Sequence, residues 1–216
     1  FRAGMPLLEV KLTTNNQQSH KQKALWQQKI SQLLGDHLIA EIEDSPLSLA
    51  KHVLSKLAED NLKITTAESC TGGLIASMLT KEAGASQSFE AGFVTYSNNI
   101  KSKLLAVDEK TLNNHGAVSE ATVLAMAKGA LLQSSADMVI AVSGIAGPDG
   151  GSEDKPVGTV WLAWGSKDSL KTVCLLLPLP RSYFQQYVAS IGLDLIRREL
   201  INSKEAAQYV IERELK

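Results

Sequence analysis

Residues 62–81, LKITTAESCTGGLIASMLTK, carry the pattern that decides the fold. Ile64, Thr65, Thr66 and Ala67 form a β-branched, apolar strand end, and the spacing predicts a strand over 62–67. Small residues follow, Ser69 to Gly73, and then a helix is predicted over 72–81. A strand that turns directly into a helix is the repeating unit of an α/β sheet, and the pattern recurs downstream. Strands are predicted at 92–96, 137–143, 157–165 and 170–177, and helices at 46–59, 98–106, 119–134 and 182–201. The expected architecture is therefore α/β, a sheet covered on both faces by helices. The terminal stretch Ser203–Lys216 is amphipathic and predicted helical.

Upstream, the pattern changes. Leu7–Thr13 alternates loosely with a period of two and reads as a strand, Gln22–Leu34 as a helix ended by Gly35, and His37–Ile42 as a second strand. This β-α-β piece of about forty residues is too small to bury much core alone. Ser45 as N-cap with Pro46 at the first helical position predicts a helix start, so the expected division is a small module over 1–44 and a main domain over 45–216. A chain beginning at Phe1 in strand-like sequence is expected to be a fragment of a longer polypeptide.

Composition narrows the function classes. Hydrophobic residues make up 44% and charged residues 21%, ordinary values for a globular chain. Lys and Arg number 22 against 23 Asp and Glu, a net charge of -1, so no uniform positive field gathers a polyanion and no nucleic-acid partner is expected. The module over 1–44 has only Gly4 and Gly35 and lacks the GXXG clamp of a nucleic-acid-binding fold. No apolar run approaches membrane-spanning length, and Cys70 and Cys174 are too few for a disulfide framework, which points to a reducing cytoplasm. A homo-oligomer is the expected assembly.

Three segments could carry chemistry. In Ile64–Gly73, the strand-to-helix junction exposes side chains and the backbone N–H groups of Cys70, Thr71 and Gly72, where an anion or developing oxyanion could bind. Ser69 is placed to attack, although Ser69 and Thr71 would serve equally well as helix caps. Cys70 is a rival nucleophile or an inert small residue. In Gly92–Lys101, a second strand ends in polar residues before a helix, and the Tyr96 and Lys101 side chains could meet Ser69 across the carboxyl edge of the sheet. A desolvated Lys101 would have a lowered pKa and could accept the serine proton; a solvated Lys101, like Lys103, would do nothing. In Ser143–Gly151, followed by Pro156–Val160, the glycines Gly144, Gly147, Gly150 and Gly151 imply tight turns and close contact with a ligand, or a long structural turn. The spacing fits neither a dinucleotide fingerprint, a Walker loop nor a GxSxG elbow.

His115 precedes a helix with no His, Cys or acidic residue at metal-ligand spacing, and His20, His37 and His52 are scattered. No metal and no cofactor are predicted, so hydrolysis here would rest on side chains.

Taken together, TTAESCTGG (65–73), FVTYSNNIKSKLLAV (93–107), HGAVSE (115–120) and VSGIAGPDGGSEDKPVGTVW (142–161) resemble, in order, the CinA C-terminal domain family, which includes the stand-alone nicotinamide-nucleotide amidases. The resemblance spans roughly residues 46–200. It implies a three-layer α/β/α sandwich that hydrolyses the carboxamide of nicotinamide mononucleotide to nicotinic acid mononucleotide and ammonia. It implies Ser69 as nucleophile, Lys101 as base and a role for Tyr96. Ser143 and the 144–151 loop would line the nucleotide pocket, with the loop N–H groups and Arg181 as phosphate donors. The family often carries Gly-Asp-Arg and a second Arg at the start of the last helix; this chain has Leu179-Pro180-Arg181 and then Gln185. The N-terminal piece resembles the small module that precedes the amidase in full-length CinA proteins. The competing expectation is a non-catalytic nucleotide-binding or regulatory module acting in competence or damage response.

Overall fold

The structure, a computed structural model, describes residues 2–4, 7–14, 17–40 and 47–215. By its contacts the chain divides into two compact units, Phe1–Leu47 and Ser48–Lys216.

In the first unit, β1 (Arg2–Gly4) pairs antiparallel with β2 (Leu7–Glu9), and α1 (Gln17–Leu34) follows. Among the described residues the order is β-β-α, not the expected β-α-β. Gly35, at φ 50, ends α1 in a short 3-10 turn over Gly35–His37, and residues 38–40 adopt no regular structure. The apolar run there had suggested a strand, but among the described residues it has no strand to pair with. Its last two positions lie outside the described residues, as do Ser45 and Pro46, and the helix expected to start there begins instead at Leu49 with Ser48 as N-cap. Helix α1 starts five residues before the predicted Gln22 because Gln17–Lys21 is polar yet free of Gly and Pro, so it forms helix without an apolar signal.

The second unit begins with α2 (Leu49–Glu59), capped by Ser48, whose Oγ accepts from Lys51 N at 3.0 Å and donates to Glu82 at 2.7 Å. Then follow β3 (Ile64–Glu68), α3 (Leu74–Thr80), β4 (Phe89–Val94), α4 (Asn98–Leu105), α5 (Glu109–His115) and α6 (Glu120–Ser134). Next come β5 (Met138–Gly144), β6 (Thr159–Ser166), β7 (Ser169–Leu176), α7 (Arg181–Leu200) and α8 (Gln208–Arg213). The sheet order is β4-β3-β5-β6-β7, with β4, β3 and β5 parallel and the β6–β7 hairpin antiparallel.

Side chains alternate across a strand, and this fixes the layers. Val139 and Ala141 of β5 join Ala67 in a core with Leu105, Val123, Met126 and Ala130 from α4 and α6. Ile140 points the other way, towards Gly192 of α7, where an added Cβ would meet its Cγ2 at 2.9 Å. Helices α4 and α6 therefore cover one face and α7 the other, the three-layer α/β/α sandwich. On the first face α6 crosses α4 at Gly129, where a Cβ would collide with the Leu105 carbonyl.

Helix α5 was absent from the sequence reading. It has one buried apolar residue, Leu112, so no periodicity marks it, although Asp108 caps it through Lys110 N and Gly116 terminates it. The tail is also less helical than its amphipathic pattern predicts. Among its described residues only Gln208–Arg213 is helix; Glu214 bridges to Leu175 and Leu215 N donates to Cys174 O at 2.9 Å, so residues 214–215 run extended beside β7. Among the described residues no helix is long and apolar enough to cross a membrane.

Candidate active site

Strand β3 lies between β4 and β5, and all five of its residues are buried. At its carboxyl end the chain must turn sharply into α3, and the side chain that organises this turn is Glu68. Its buried carboxylate accepts from Thr71 Oγ1 at 2.6 Å, Gly73 N at 3.1 Å, Ile75 N at 3.0 Å and Ala76 N at 2.8 Å. A negative charge receiving free N–H groups at a helix start is favourable on both electrostatic and hydrogen-bonding grounds. The N-cap of α3 is Gly73, left-handed at φ 96. Neither hydroxyl considered as a cap has that role, since Thr71 binds Glu68 and Ser69 Oγ faces Lys101.

Lys101 sits in the first turns of α4, whose start is fixed by Ser97 Oγ accepting from Ile100 N at 3.3 Å. Its side chain runs back to the sheet edge and is 1% exposed. The Nζ lies 3.0 Å from Ser69 Oγ, 2.8 Å from Thr95 O and 3.2 Å from Tyr96 O. Among the described residues no carboxylate pairs with it. Burial pulls its pKa below the usual lysine value. The Cys70 thiol moves the other way, pushed up to about 12 chiefly by burial, so it stays protonated and is a poor nucleophile near neutral pH.

These groups open onto a cleft of about 270 Å³. Of the residues singled out in the sequence, Ser69, Cys70, Tyr96, Lys101, Ser143, Gly144, Gly147, Gly150 and Arg181 line it. Thr71, Gly72 and Gly151 do not: Thr71 holds Glu68, Gly72 closes the turn onto Ser69 O at 3.1 Å, and Gly151 packs against Val157. Ser143 donates to Ala117 O at 2.7 Å and so ties β5 to the 116–118 segment on the opposite wall. Tyr96 contributes two different atoms, its carbonyl to Lys101 and its hydroxyl to Arg181 Nη2 at 3.3 Å. Arg181, the first residue of α7, also donates from Nη1 to Gly147 O at 2.9 Å and so joins the glycine loop to Tyr96.

Asp149 of the expected 144–151 loop lines the cleft; Ala117 and Val118, not expected there, line it too, and Gln185, noted in the sequence only as standing where the family often has a second arginine, donates from Nε2 to Cys70 O at 2.8 Å. The role of Glu68 was missed despite a visible signal, an acidic residue directly before a helix start; the contact of Gln185 with Cys70, 115 positions away, had none. His115 is exposed at the end of α5, where its carbonyl accepts from Lys155 Nζ at 2.9 Å. Among the described residues no three His, Cys, Asp or Glu side chains are grouped to hold a metal ion.

The same stretch of chain matches the family model of the CinA C-terminal domain over residues 47–200. The chain belongs to the CinA C-terminal domain family. Every residue that forms the Ser69–Lys101 site of this CinA domain lies within the match. A CinA-like protein from Colwellia psychrerythraea is 61% identical over 213 residues, 99% of this chain and 49% of the relative. One from Shewanella denitrificans is 42% identical over 210 residues, 97% of this chain and 49% of the relative. The chain thus spans about half the length of these curated CinA relatives. Among solved structures, a competence/damage-inducible protein from Agrobacterium tumefaciens superposes with a TM-score of 0.69 at 39% identity, covering 74% of this chain and 99% of that one. A CinA superfamily protein from Klebsiella pneumoniae gives 0.69 at 35% identity, over 71% and 96%.

Proposed function

We propose that this CinA domain is a metal-independent amidohydrolase that converts nicotinamide mononucleotide to nicotinic acid mononucleotide and ammonia through a serine–lysine pair. The observation that carries the reading is the buried 3.0 Å approach of Lys101 Nζ to Ser69 Oγ, with no carboxylate paired to the lysine among the described residues and its pKa drawn down by burial. A neutral amine has two hydrogens and one lone pair. Thr95 O at 2.8 Å and Tyr96 O at 3.2 Å can take the two hydrogens, leaving the lone pair for the Ser69 hydroxyl.

In this mechanism Ser69 Oγ bonds to the carboxamide carbon as its proton passes to Lys101 Nζ. The oxyanion accepts from the Cys70 N–H, which borders the cleft and donates to no other residue among those described. The Lys101 ammonium returns the proton to the amide nitrogen, the C–N bond breaks and ammonia leaves. Water then gives a proton to Lys101 and attacks the acyl-serine, releasing the carboxylate product. Arg181 and the N–H groups of the Gly144–Gly150 loop are the donors for the 5′-phosphate. In the longer relatives the 45–216 domain would be the amidase and the 1–44 piece a connecting module.

The test is to incubate the purified chain with nicotinamide mononucleotide and measure ammonia. Time-dependent ammonia release supports the reading. A rise in melting temperature with the nucleotide but no ammonia would instead favour a nucleotide-binding or regulatory module.

A further inference from the structure

We propose that Asp149 is a specificity-determining residue whose carboxylate accepts the 2′- and 3′-hydroxyls of the substrate's ribose, so that the cleft favours a ribonucleotide over its deoxy counterpart. The inference rests on the reading of the cleft as a pyridine-mononucleotide site and names the group that recognises the sugar.

Among the polar side chains on the cleft wall, Asp149 stands apart. Ser69 and Lys101 face each other, Ser143 donates to Ala117 O, and Arg181 donates to Gly147 O and to the Tyr96 hydroxyl. The Asp149 carboxylate lines the same cleft, yet among the described residues none gives it a hydrogen bond or an ion pair. Arg181 does not pair with it either, since its Nη1 and Nη2 donate elsewhere. An acceptor left open on the wall of a cleft is matched by a ligand that brings donors.

The loop that carries Asp149 is held on both sides of it. Gly147, two residues before, is anchored through its carbonyl on Arg181 at 2.9 Å. Gly151, two residues after, sits so close to Val157 that an added Cβ would meet Val157 N at 2.8 Å, and Lys155 donates to His115 O at 2.9 Å. Between these anchors Asp149, unlike Pro148 beside it, lines the cleft. The carboxylate is therefore presented by a fixed turn.

The place of that turn identifies the donor. In the proposed complex the carboxamide lies at Ser69 and Lys101, the phosphate at Arg181, and the ribose between them, one carbon from the phosphate. Consecutive Cα atoms are about 3.8 Å apart, so the Asp149 Cα lies within roughly 8 Å of that of Gly147, the residue Arg181 holds. Asp149 thus belongs to the Arg181 end of the cleft, not to the Ser69 end. A carboxylate there repels the phosphate, which stays on Arg181, and meets the neighbouring sugar. The ribose offers two vicinal O–H donors, and a carboxylate has two oxygens to accept them. Dinucleotide-binding folds read ribose hydroxyls with an acidic side chain in the same way.

The experiment compares the parent, Asp149→Ala and Asp149→Asn on nicotinamide mononucleotide and on its 2′,3′-dideoxy analogue. Ammonia release is the kinetic readout; calorimetric titration in a Ser69→Ala background, which prevents turnover, is the binding readout. Because no described residue holds the Asp149 side chain, all three proteins should melt alike. Asp149→Ala should raise KM and Kd for the mononucleotide roughly ten- to hundredfold with kcat within about threefold, as for binding shared by ground and transition states. Asp149→Asn, whose amide oxygen still accepts one hydroxyl, should fall between. The parent should lose a similar factor on the dideoxy analogue, and Asp149→Ala should lose nothing more there, because the hydroxyls and the carboxylate form one contact. Equal losses of Asp149→Ala on both substrates would mean that the carboxylate meets the pyridinium charge or merely shapes the loop, and would overturn the proposal. So would an Asp149→Ala that matches the parent. If the parent binds the mononucleotide but releases no ammonia, the amidase reading fails and the titrations decide this proposal alone. If the parent does not bind it, the two fall together.

Discussion

Replacing Lys101 by arginine removes the proton acceptor while keeping a positive charge at the end of a long side chain. In the structure the lysine nitrogen sits between Ser69 Oγ at 3.0 Å, Thr95 O at 2.8 Å and Tyr96 O at 3.2 Å, so a guanidinium could still satisfy both carbonyls. What it cannot do is lose a proton at working pH. A positioned general base contributes roughly 10²- to 10⁴-fold, and Lys101→Arg should lose a factor of that size in kcat, nearly as much as Lys101→Ala. The pH profile supplies a second, independent readout. Because burial lowers the lysine pKa, the neutral amine becomes available below the usual lysine value of 10.5, and kcat/KM of the parent should rise with pH through that lowered value and then level off. The same shift makes the parent more stable as pH rises through the window between the lowered folded value and 10.5, because there the unfolded chain binds a proton that the folded one does not. Lys101→Arg should lack both the kinetic limb and the stability slope. The assay is ammonia release from nicotinamide mononucleotide across pH, with urea denaturation at each pH. Retention of kcat within about tenfold of the parent, or an unchanged pH limb in Lys101→Arg, would refute the base assignment.

Ser69→Ala should abolish turnover yet bind the mononucleotide, with a stability loss of only about 0.5–1.5 kcal/mol, since one hydrogen bond is lost and α3 keeps its Gly73 cap; calorimetric titration and a melt check both halves. Arg181→Ala should lower kcat/KM for the mononucleotide roughly ten- to hundredfold while hardly changing the rate on the riboside that lacks phosphate, and equal losses on both would assign Arg181 to bracing Gly147 and Tyr96 instead. Glu68→Gln should destabilise the domain by about 1–3 kcal/mol in urea denaturation, because the amide NH₂ meets one of the N–H donors that the carboxylate now accepts.

The legibility of this chain in its sequence follows the distance over which each signal acts. The turn from β3 into α3 is written in consecutive residues: a β-branched run that must be strand, then Gly72 and Gly73, which supply the left-handed conformations of the reversal. Strand β5 and α6 are long and apolar enough to read the same way, whereas β4, Phe89–Val94, has no buried residue and starts three residues before the predicted 92–96. Helix α5 and the described part of the 37–42 stretch, residues 37–40, were misread for opposite reasons. The first has caps but a single buried apolar residue, Leu112, and the second has apolar residues but no partner strand among the described residues. Apolar content predicts an element only when something is available for it to pack against.

The site divides along the same line. That Ser69 and Lys101 could meet was readable, because each ends a strand-to-helix junction and parallel neighbouring strands bring such junctions to one edge of the sheet. That Lys101 would be buried was not, since its burial comes from the return of its side chain across the edge towards Thr95 and Tyr96. Nor could the sequence connect Gln185 to Cys70: the contact exists because α7 crosses the face of the sheet opposite α6 and reaches the β3 turn with its first turns.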